Sequence, residues 1–211
     1  MVYLSYSVRK EPLSDYELER QLSQLPLNLQ EKVTSFRRRE DASNSLMGKI
    51  MLRDLAKHFF NIPDILDQLV YSNFGKPYIN APLSFSISHS GNLVVCAVSE
   101  IYQLGVDVEQ IAKLEFELFQ EYMSGKEWEQ IWLANNPNKK FLKFWTQKEA
   151  AIKADGRGLS IPLNSLTLNN TELSFESQTW HLLELSLRSN YICHLATNRL
   201  LTLNDINIIE F

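Results

Sequence analysis

Two acidic residues are separated by a single residue in the segment 105–109, which reads Gly-Val-Asp-Val-Glu. The alternation predicts a strand on which Asp107 and Glu109 project from one face while Val106 and Val108 enter the core. Neighbouring carboxylates repel each other unless a cation joins them. Mg²⁺ binds such oxygen ligands, and substrate phosphates and water usually complete its coordination shell. The pattern therefore indicates a Mg²⁺ site, with two solvent-facing acids at a strand end as the alternative.

A third carboxylate and a lysine follow at helical spacing. Glu149 and Lys153 lie four residues apart in a predicted helix over 139–154, so they share one helix face. The helix is apolar on several sides, which indicates that the pair is not fully exposed. Near Asp107 and Glu109, this pair would suit phosphoryl transfer, in which acids hold a metal and a lysine offsets phosphate charge. The alternative is a surface ion pair worth a few tenths of a kcal/mol.

Basic and hydroxyl side chains in the first half have the chemistry of an anion site. His89 follows Ser88 at the end of a predicted strand and can donate to a phosphate, although a structural histidine is an equal alternative. The chain has a single run of three bases, for which a solvated face is the alternative, and two lysines are its possible companions. These basic residues are Arg37, Arg38, Arg39, Lys32 and Lys76.

The elements that must position these residues are predicted from periodicity, capping boxes and turn residues. The first half is predicted to contain a strand at 2–8, a helix capped by Ser14 and Glu17, one long helix over 29–60, a turn at 74–77, and strands at 83–88, 93–99 and 104–109. The second half is predicted to contain a helix capped by Ser124 and Glu127, the helix at 139–154 ended by Gly156 and Gly158, and short strands over 166–211. Residues 92–96 and 190–193 are faintly similar. This similarity fits a duplicated α+β unit joined near 100–104, and a chain without duplication fits equally well.

Composition excludes several classes of protein. The 211 residues are 45% hydrophobic, and the longest apolar run, 93–98, is far shorter than the roughly 20 residues of a membrane-spanning helix. A net charge of −4 predicts no general nucleic-acid or membrane partner. Cys96 and Cys193 lie in apolar runs and are interpreted as buried free thiols. Arg9 and Lys10 follow a mixed segment, the reverse of a signal peptide, so we expect a cytoplasmic protein.

Taken together, four ordered segments resemble the Sfp-type 4'-phosphopantetheinyl transferase family. They are Phe-Gly-Lys-Pro at 74–77, Phe-Ser-Ile-Ser-His-Ser at 85–90, Gly-Val-Asp-Val-Glu at 105–109, and Phe-Trp-Thr-x-Lys-Glu-Ala-x-x-Lys at 144–153. The last two match complete family signatures. The resemblance implies an α+β fold of two pseudo-duplicated subdomains, 1–102 and 103–211, related by an approximate two-fold axis with the active site at their interface. The length suits the monomeric class of the family.

The resemblance also implies a reaction and residue roles. The family transfers the phosphopantetheine arm of coenzyme A to a serine of an apo acyl, peptidyl or aryl carrier protein and releases adenosine 3',5'-bisphosphate. By motif, Asp107, Glu109 and Glu149 would bind Mg²⁺, Glu149 would activate the serine, and Lys153 would contact the diphosphate. The 3'-phosphate would be held by His89, Lys32 and one of Arg37, Arg38 and Arg39, with Ser45 and Ser88 as hydroxyl donors. Gly75, Lys76 and Pro77 would lie against the adenine.

Two other functions are alternatives for these residues, and one surface is expected to dock the carrier. A metal nuclease also combines acids with a lysine, but its acid and lysine typically lie two apart on a strand, and this chain lacks a broad basic face. A non-catalytic carrier-binding module would leave the three carboxylates and the lysine without a purpose. Carrier docking is expected at Met123, Lys126, Trp128, Ile131 and Trp132, with plain helix core as the alternative.

Overall fold

Two large β-sheets, each covered by a long helix, and one two-stranded sheet of β2 and β3 make up the computed structural model, which describes residues 1–211. The helices are α1 (Asp15–Leu22), α2 (Leu27–Thr34), α3 (Arg39–Phe60), α4 (Gly125–Trp132) and α5 (Pro137–Asp155). The strands are β1 (Val2–Val8), β2 (Val70–Tyr71), β3 (Pro77–Tyr78), β4 (Ser84–Ser90), β5 (Leu93–Ser99), β6 (Leu104–Gln110), β7 (Thr167–Asn169), β8 (Glu172–Phe175), β9 (Gln178–Glu184), β10 (Tyr191–Thr197) and β11 (Ile206–Glu210). None of the helices combines the length and apolar character needed to cross a bilayer.

The strand order assigns most of each half of the chain to its own sheet. The first sheet has the order β11-β1-β5-β4, and the second has the order β6-β10-β9-β8-β7. The last strand of the chain crosses back, because β11 pairs in parallel with β1, with Val2 opposite Ile206. In these strand orders, β4 lies at one edge of the first sheet and β6 lies at one edge of the second.

The long helix of each half packs on its own sheet. Helix α3 buries Leu46, Ile50 and Met51 in the core beneath the first sheet. Helix α5 buries Ala150 and Ile152 against the second sheet. This apolar packing fixes which faces of the two helices remain available to line a site.

A glycine determines how closely α5 approaches β6. A Cβ atom at Gly105 would lie 2.1 Å from the carbonyl oxygen of Ala150 and 2.3 Å from the amide nitrogen of Ala154. Only glycine fits at this crossing, since the helix backbone occupies the space of any side chain. The glycine of the 105–109 segment thus allows α5 to lie directly over the strand that carries Asp107.

The single long helix predicted over 29–60 is wrong, because the stretch forms α2 and α3 with a break between them. At the end of α2, Thr34 Oγ1 donates to the carbonyls of Gln30 and Glu31, and Ser35 Oγ donates to the carbonyl of Lys32. Such side chains offer the backbone an alternative to continued helix. The apolar periodicity that predicted the helix begins at Leu46 and describes α3 alone.

The other predicted elements are present, and the α+β class is confirmed. Ser14 with Glu17 and Ser124 with Glu127 both form complete capping boxes at the starts of α1 and α4. Helix α5 ends at Gly156, whose φ of 99° is the left-handed conformation that favours glycine.

Candidate functional site

A cavity of about 340 Å³ lies where β4, β6 and α5 meet. Three elements contribute its polar side chains, and all six of these residues were selected from the sequence for their chemistry. They are Ser88 and His89 from β4, Asp107 and Glu109 from β6, and Glu149 and Lys153 from α5. The structure therefore brings together residues that are up to 65 positions apart in the chain.

An ion pair between Lys153 and Asp107 links α5 to β6. Its Nζ donates to Oδ1 of Asp107 at 2.6 Å and to Oγ of Ser88 at 3.0 Å. Burial opposes the charged form of Lys153, but the charge of Asp107 and the hydrogen bond to it outweigh burial and raise the pKa of the lysine. The ammonium therefore remains charged and partly neutralises a pocket that holds three acids.

The other two carboxylates lie in environments that disfavour their charged forms. Burial, and then the charges of Asp107 and Glu109, raise the pKa of Glu149 to about 7, with Lys153 opposing the shift. Burial also raises the pKa of Glu109, although the hydroxyl of Ser90 donates to its Oε2 at 2.6 Å and opposes the rise. Two partly desolvated acids beside Asp107 create a demand for positive charge that one lysine does not satisfy.

The donor set fits a hard divalent cation in its chemistry. Asp107 is 3% exposed, and its Oδ2 is buried without a hydrogen-bond partner, so one carboxylate oxygen is left for a ligand. Lys153 and Ser88 contact the other oxygen. As the side chains lie, no three acidic or metal-binding side chains form a ready coordination cluster.

A second cavity, of about 280 Å³, adjoins the first and shares Lys153 with it. The turn residues Gly75, Lys76 and Pro77, which the resemblance assigned to the adenine, line this second cavity. Lys76 Nζ donates to the carbonyl of Ala154 at 2.9 Å, which ties the turn to the end of α5. Burial lowers the pKa of Lys76 to about 8.

Lys49 lies outside both cavities but close enough to His89 for its charge to act on that residue, and the sequence analysis missed it. Its Nζ donates to Oγ of Ser45 at 2.7 Å, one turn earlier on α3. Burial, and then the charge of Lys32, lower the pKa of Lys49 to about 8. Desolvation, and then the charges of Lys153 and Lys49, lower the pKa of His89. The i, i+4 spacing from Ser45 is the signal that could have found Lys49.

The remaining predicted basic residues lie outside both cavities. Lys32 is exposed, and its Nζ lies 3.2 Å from the ring centroid of Tyr71. Arg37 and Arg38 are exposed between α2 and α3. Arg39 is paired with Asp15 and donates to the carbonyl of Leu13, so its guanidinium is already engaged.

The surface around α4 differs from the sequence expectation. Met123 and Ile131 are buried in an aromatic core cluster, and Trp128 packs against that cluster. The assignment to a docking surface is therefore wrong for Met123 and Ile131. The helical period of α4 places Ile131 on its core face, and Met123, which precedes the helix, packs in the same cluster. Trp132 is 54% exposed, and Lys126 is exposed as well.

A buried ion pair anchors this region beneath the site. Lys148 is completely buried, and its Nζ donates to Glu127 Oε2 at 2.7 Å and to the carbonyls of Tyr122 and Leu163. The lysine beside Glu149 thus points away from the cavity. It ties the start of α4 and two loops to α5, the helix that carries Glu149 and Lys153.

Comparison with known proteins decides the family. The sequence model of the 4'-phosphopantetheinyl transferase superfamily matches residues 103–203, and an N-terminal 4'-phosphopantetheinyl transferase model matches residues 11–101. The 4'-phosphopantetheinyl transferase Sfp of Bacillus subtilis is 32% identical over 162 residues, which cover 74% of this chain and 71% of that protein. The chain belongs to the 4'-phosphopantetheinyl transferases.

Two further relatives extend this result. The 4'-phosphopantetheinyl transferase gsp of Aneurinibacillus migulanus is 33% identical over 137 residues, which cover 63% of this chain and 56% of that protein. The L-aminoadipate-semialdehyde dehydrogenase-phosphopantetheinyl transferase of Rattus norvegicus is 28% identical and is matched over 53% of its length. The family resemblance and the enzyme class drawn from the motifs are confirmed. The two matched regions of this 4'-phosphopantetheinyl transferase, 11–101 and 103–203, also fit the expected two-subdomain arrangement.

Proposed function

We propose that this protein transfers the 4'-phosphopantetheine arm of coenzyme A to a serine hydroxyl of an apo acyl, peptidyl or aryl carrier protein. The serine oxygen forms a bond to the phosphorus that bears the pantetheine arm, and the bond from that phosphorus to the bridging oxygen breaks. Adenosine 3',5'-bisphosphate leaves. The observation that supports this reaction most strongly is the cavity in which Asp107, Glu109, Glu149 and Lys153 converge from a strand and a helix.

Asp107, Glu109 and Glu149 are proposed to hold Mg²⁺, with the unpartnered Oδ2 of Asp107 as one ligand atom. The ion would supply positive charge to the diphosphate and to the leaving phosphate. The ammonium of Lys153, already in the cavity, would contact the same diphosphate. Lys153 contacts Oδ1 of Asp107, so the unpartnered Oδ2 would stay available to the ion.

Glu149 is proposed to receive the serine proton, directly or through a water molecule. In the metal-free protein, burial and then the charge of Asp107 raise the pKa of this carboxyl to about 7. A bound cation would lower that pKa and keep the group a carboxylate able to accept a proton. A positioned base of this kind typically contributes about 10²- to 10⁴-fold to the rate. Because Glu149 lines the same cavity as Asp107, the proton acceptor would lie beside the phosphate under attack.

The nucleotide of coenzyme A is proposed to lie on the first half of the chain. Gly75, Lys76 and Pro77 would contact the adenine in the cavity that adjoins the carboxylates. His89, Ser45, Ser88 and Lys32 would surround the 3'-phosphate together with one of the arginines at 37–39. The pairing of Arg39 with Asp15 favours Arg37 or Arg38 for that contact.

The two halves of the chain are proposed to be two subdomains with different roles. Residues 1–102 form the nucleotide subdomain and residues 103–211 the metal-binding and carrier-docking subdomain, with β11 returning to the first sheet. Trp132 and Lys126 offer the carrier an exposed aromatic surface and a positive charge.

We propose that the protein is a monomer. The two buried free cysteines fit the reducing cytoplasm, which is the proposed location.

The proposed reaction is tested by intact-mass measurement of the carrier. The protein is incubated with coenzyme A, Mg²⁺ and a panel of apo acyl, peptidyl and aryl carrier proteins. We expect one phosphopantetheine adduct on a carrier, loss of that adduct when a chelator removes the metal, and loss when Asp107 is replaced in Asp107→Asn. Unmodified carriers across the whole panel would contradict the proposal.

A further inference from the structure

Four serines alternate along β4, the edge strand of the first sheet. Each serine Oγ accepts a hydrogen bond from a backbone N–H of β6, the edge strand of the second sheet. The four bonds are Leu104 N to Ser84 at 3.2 Å, Val106 N to Ser86 at 3.0 Å, Val108 N to Ser88 at 3.3 Å, and Gln110 N to Ser90 at 3.1 Å. We call this set the serine ladder.

The serine ladder joins two sheets that share no backbone ladder between β4 and β6. An edge strand presents N–H groups that must find acceptors when they are buried. On β6, alternate residues use their N–H groups toward the serine oxygens, while β6 pairs with β10 on its other side. The ladder therefore fixes the register between the half that carries His89 and the half that carries the carboxylates.

Two rungs of the ladder also contact acidic side chains. A serine hydroxyl has one hydrogen to donate and two lone pairs to accept with, so one Oγ can satisfy both groups. Ser88 donates to Oδ1 of Asp107 at 2.9 Å, and Ser90 donates to Oε2 of Glu109 at 2.6 Å. No such bond to a carboxylate is made by Ser84 or Ser86.

The roles of these two rungs differ. Ser88 lines the cavity and also accepts from Lys153, so it is close enough to meet a substrate. Ser90 does not line the cavity, and its hydroxyl contacts only Glu109 and the backbone of Gln110. Ser90 therefore does not meet a ligand in the cavity itself, and Glu109 is the cavity residue that its hydroxyl contacts.

We propose that Ser90 is a positioning residue that holds the Glu109 carboxylate in the orientation needed to bind the divalent ion. The inference rests on the proposed function, in which Glu109 is a metal ligand. By binding Oε2 of Glu109 and the N–H of Gln110 together, one hydroxyl fixes both the side chain and the backbone that carries it. Ser90 thereby leaves Oε1 of Glu109 for the ion.

The test replaces Ser90 and measures metal affinity apart from turnover. Removal of a group that orients a metal ligand typically weakens metal affinity by 10- to 100-fold. We expect Ser90→Ala to weaken Mn²⁺ binding, measured by titration calorimetry on the full chain, by about tenfold or more. The Mg²⁺ concentration for half-maximal transfer should rise similarly, while the KM for coenzyme A at saturating Mg²⁺ should stay unchanged. Ser90→Thr keeps the hydroxyl and should retain wild-type Mn²⁺ affinity.

Ser84→Ala is the matched control, because it removes a rung of the same kind without touching a carboxylate. Its Mn²⁺ affinity should equal that of the wild type even if its midpoint of thermal unfolding falls. If Ser90→Ala does not fold, Ser90→Cys, which keeps a weak donor of similar size, should show intermediate affinity. Wild-type Mn²⁺ affinity in Ser90→Ala, or equal losses in Ser84→Ala and Ser90→Ala, would overturn the inference.

The failure of this inference is distinguishable from failure of the proposed function. A wild-type protein that modifies a carrier, together with a Ser90→Ala variant of unchanged Mn²⁺ affinity, overturns the role of Ser90 alone. A wild-type protein that binds Mn²⁺ through Glu109 but modifies no carrier contradicts the transfer reaction and leaves the calorimetric test of Ser90 intact.

Discussion

The ammonium of Lys153 on α5 lies 2.6 Å from Oδ1 of Asp107 on β6, although the two residues are 46 positions apart in the chain. The lysine side chain is 31% exposed and the aspartate side chain 5% exposed, so the pair lies at the wall between the core and the cavity. This contact holds a helix and a strand together at the point where three carboxylates meet. It also supplies the positive charge without which those acids would repel each other.

Loss of that charge should impair transfer more than it impairs folding. We expect Lys153→Met to reduce kcat for transfer by about 10²- to 10³-fold, the effect of removing one group that stabilises developing charge. Lys143→Met is the control on the same helix, because Lys143 pairs with Glu184 on the surface. Its activity should match the wild type, and its free energy of unfolding should change by less than about 1 kcal/mol. Equal activity losses in both variants would contradict the assignment of Lys153.

The raised pKa of Glu149 predicts how the stability of the metal-free protein depends on pH. Between pH 4.5 and about 7 the folded protein retains a proton on Glu149 that the unfolded chain releases. The free energy of unfolding should therefore fall as pH rises through this window and level off above it. In Glu149→Gln this component disappears, so the free energy of unfolding of the variant should exceed that of the wild type by about 3 kcal/mol at pH 8.

Urea unfolding in the presence of a chelator, repeated from pH 5 to pH 8, measures the difference between the two proteins. All other ionisable groups are common to the two proteins, so subtracting the two curves isolates the contribution of Glu149. Addition of Mg²⁺ at pH 8 should raise the stability of the wild type more than that of Glu149→Gln. Parallel curves across the pH range would exclude a protonated Glu149 in the metal-free fold.

The cations near His89 should distinguish coenzyme A from dephospho-coenzyme A, which lacks the 3'-phosphate. We expect His89→Ala and Lys49→Met each to raise the KM for coenzyme A by about tenfold, since hydrogen bonds to charged groups contribute about 1.5–3 kcal/mol. The KM for dephospho-coenzyme A should change little. Lys57→Met, an exposed lysine on the same helix as Lys49, is the control. Equal losses with both substrates would separate these residues from the 3'-phosphate.

The buried pair of Lys148 and Glu127 should act on stability. Lys148→Met leaves the Glu127 carboxylate buried without its cation, which should cost about 3–5 kcal/mol in the free energy of unfolding. The double variant Lys148→Met with Glu127→Leu should recover a large part of that loss, because no unpaired charge remains. Urea unfolding of the two single variants and the double variant measures the coupling. Additive losses would show that the two residues do not act as a pair.

Local spacing predicted much of the site. The alternation at 105–109 placed Asp107 and Glu109 on one face of β6, and the i, i+4 spacing placed Glu149 and Lys153 on one face of α5. Both predictions needed only the period of a single element. Their convergence came from the family resemblance, since no local pattern specifies which helix crosses which strand.

Contacts between distant segments escaped prediction. The bond from Tyr6 to Glu210, which accompanies the pairing of β11 with β1, spans 204 positions and has no local signal. The contact of Ser90 with Glu109 was also missed, because no local pattern shows that a serine of one strand meets a carboxylate 19 positions along the chain on another strand. Ile131 on the amphipathic helix α4 and Met123 just before that helix are buried in the core and were wrongly expected at the surface.

The central claim is that a strand and a helix together hold one divalent ion. Electron paramagnetic resonance of Mn²⁺ titrated into the protein with coenzyme A counts the bound ions directly. We predict one bound Mn²⁺ per chain in the wild type, and strong loss of binding both in Asp107→Asn, on β6, and in Glu149→Gln, on α5. Undiminished Mn²⁺ binding in either variant would contradict the account.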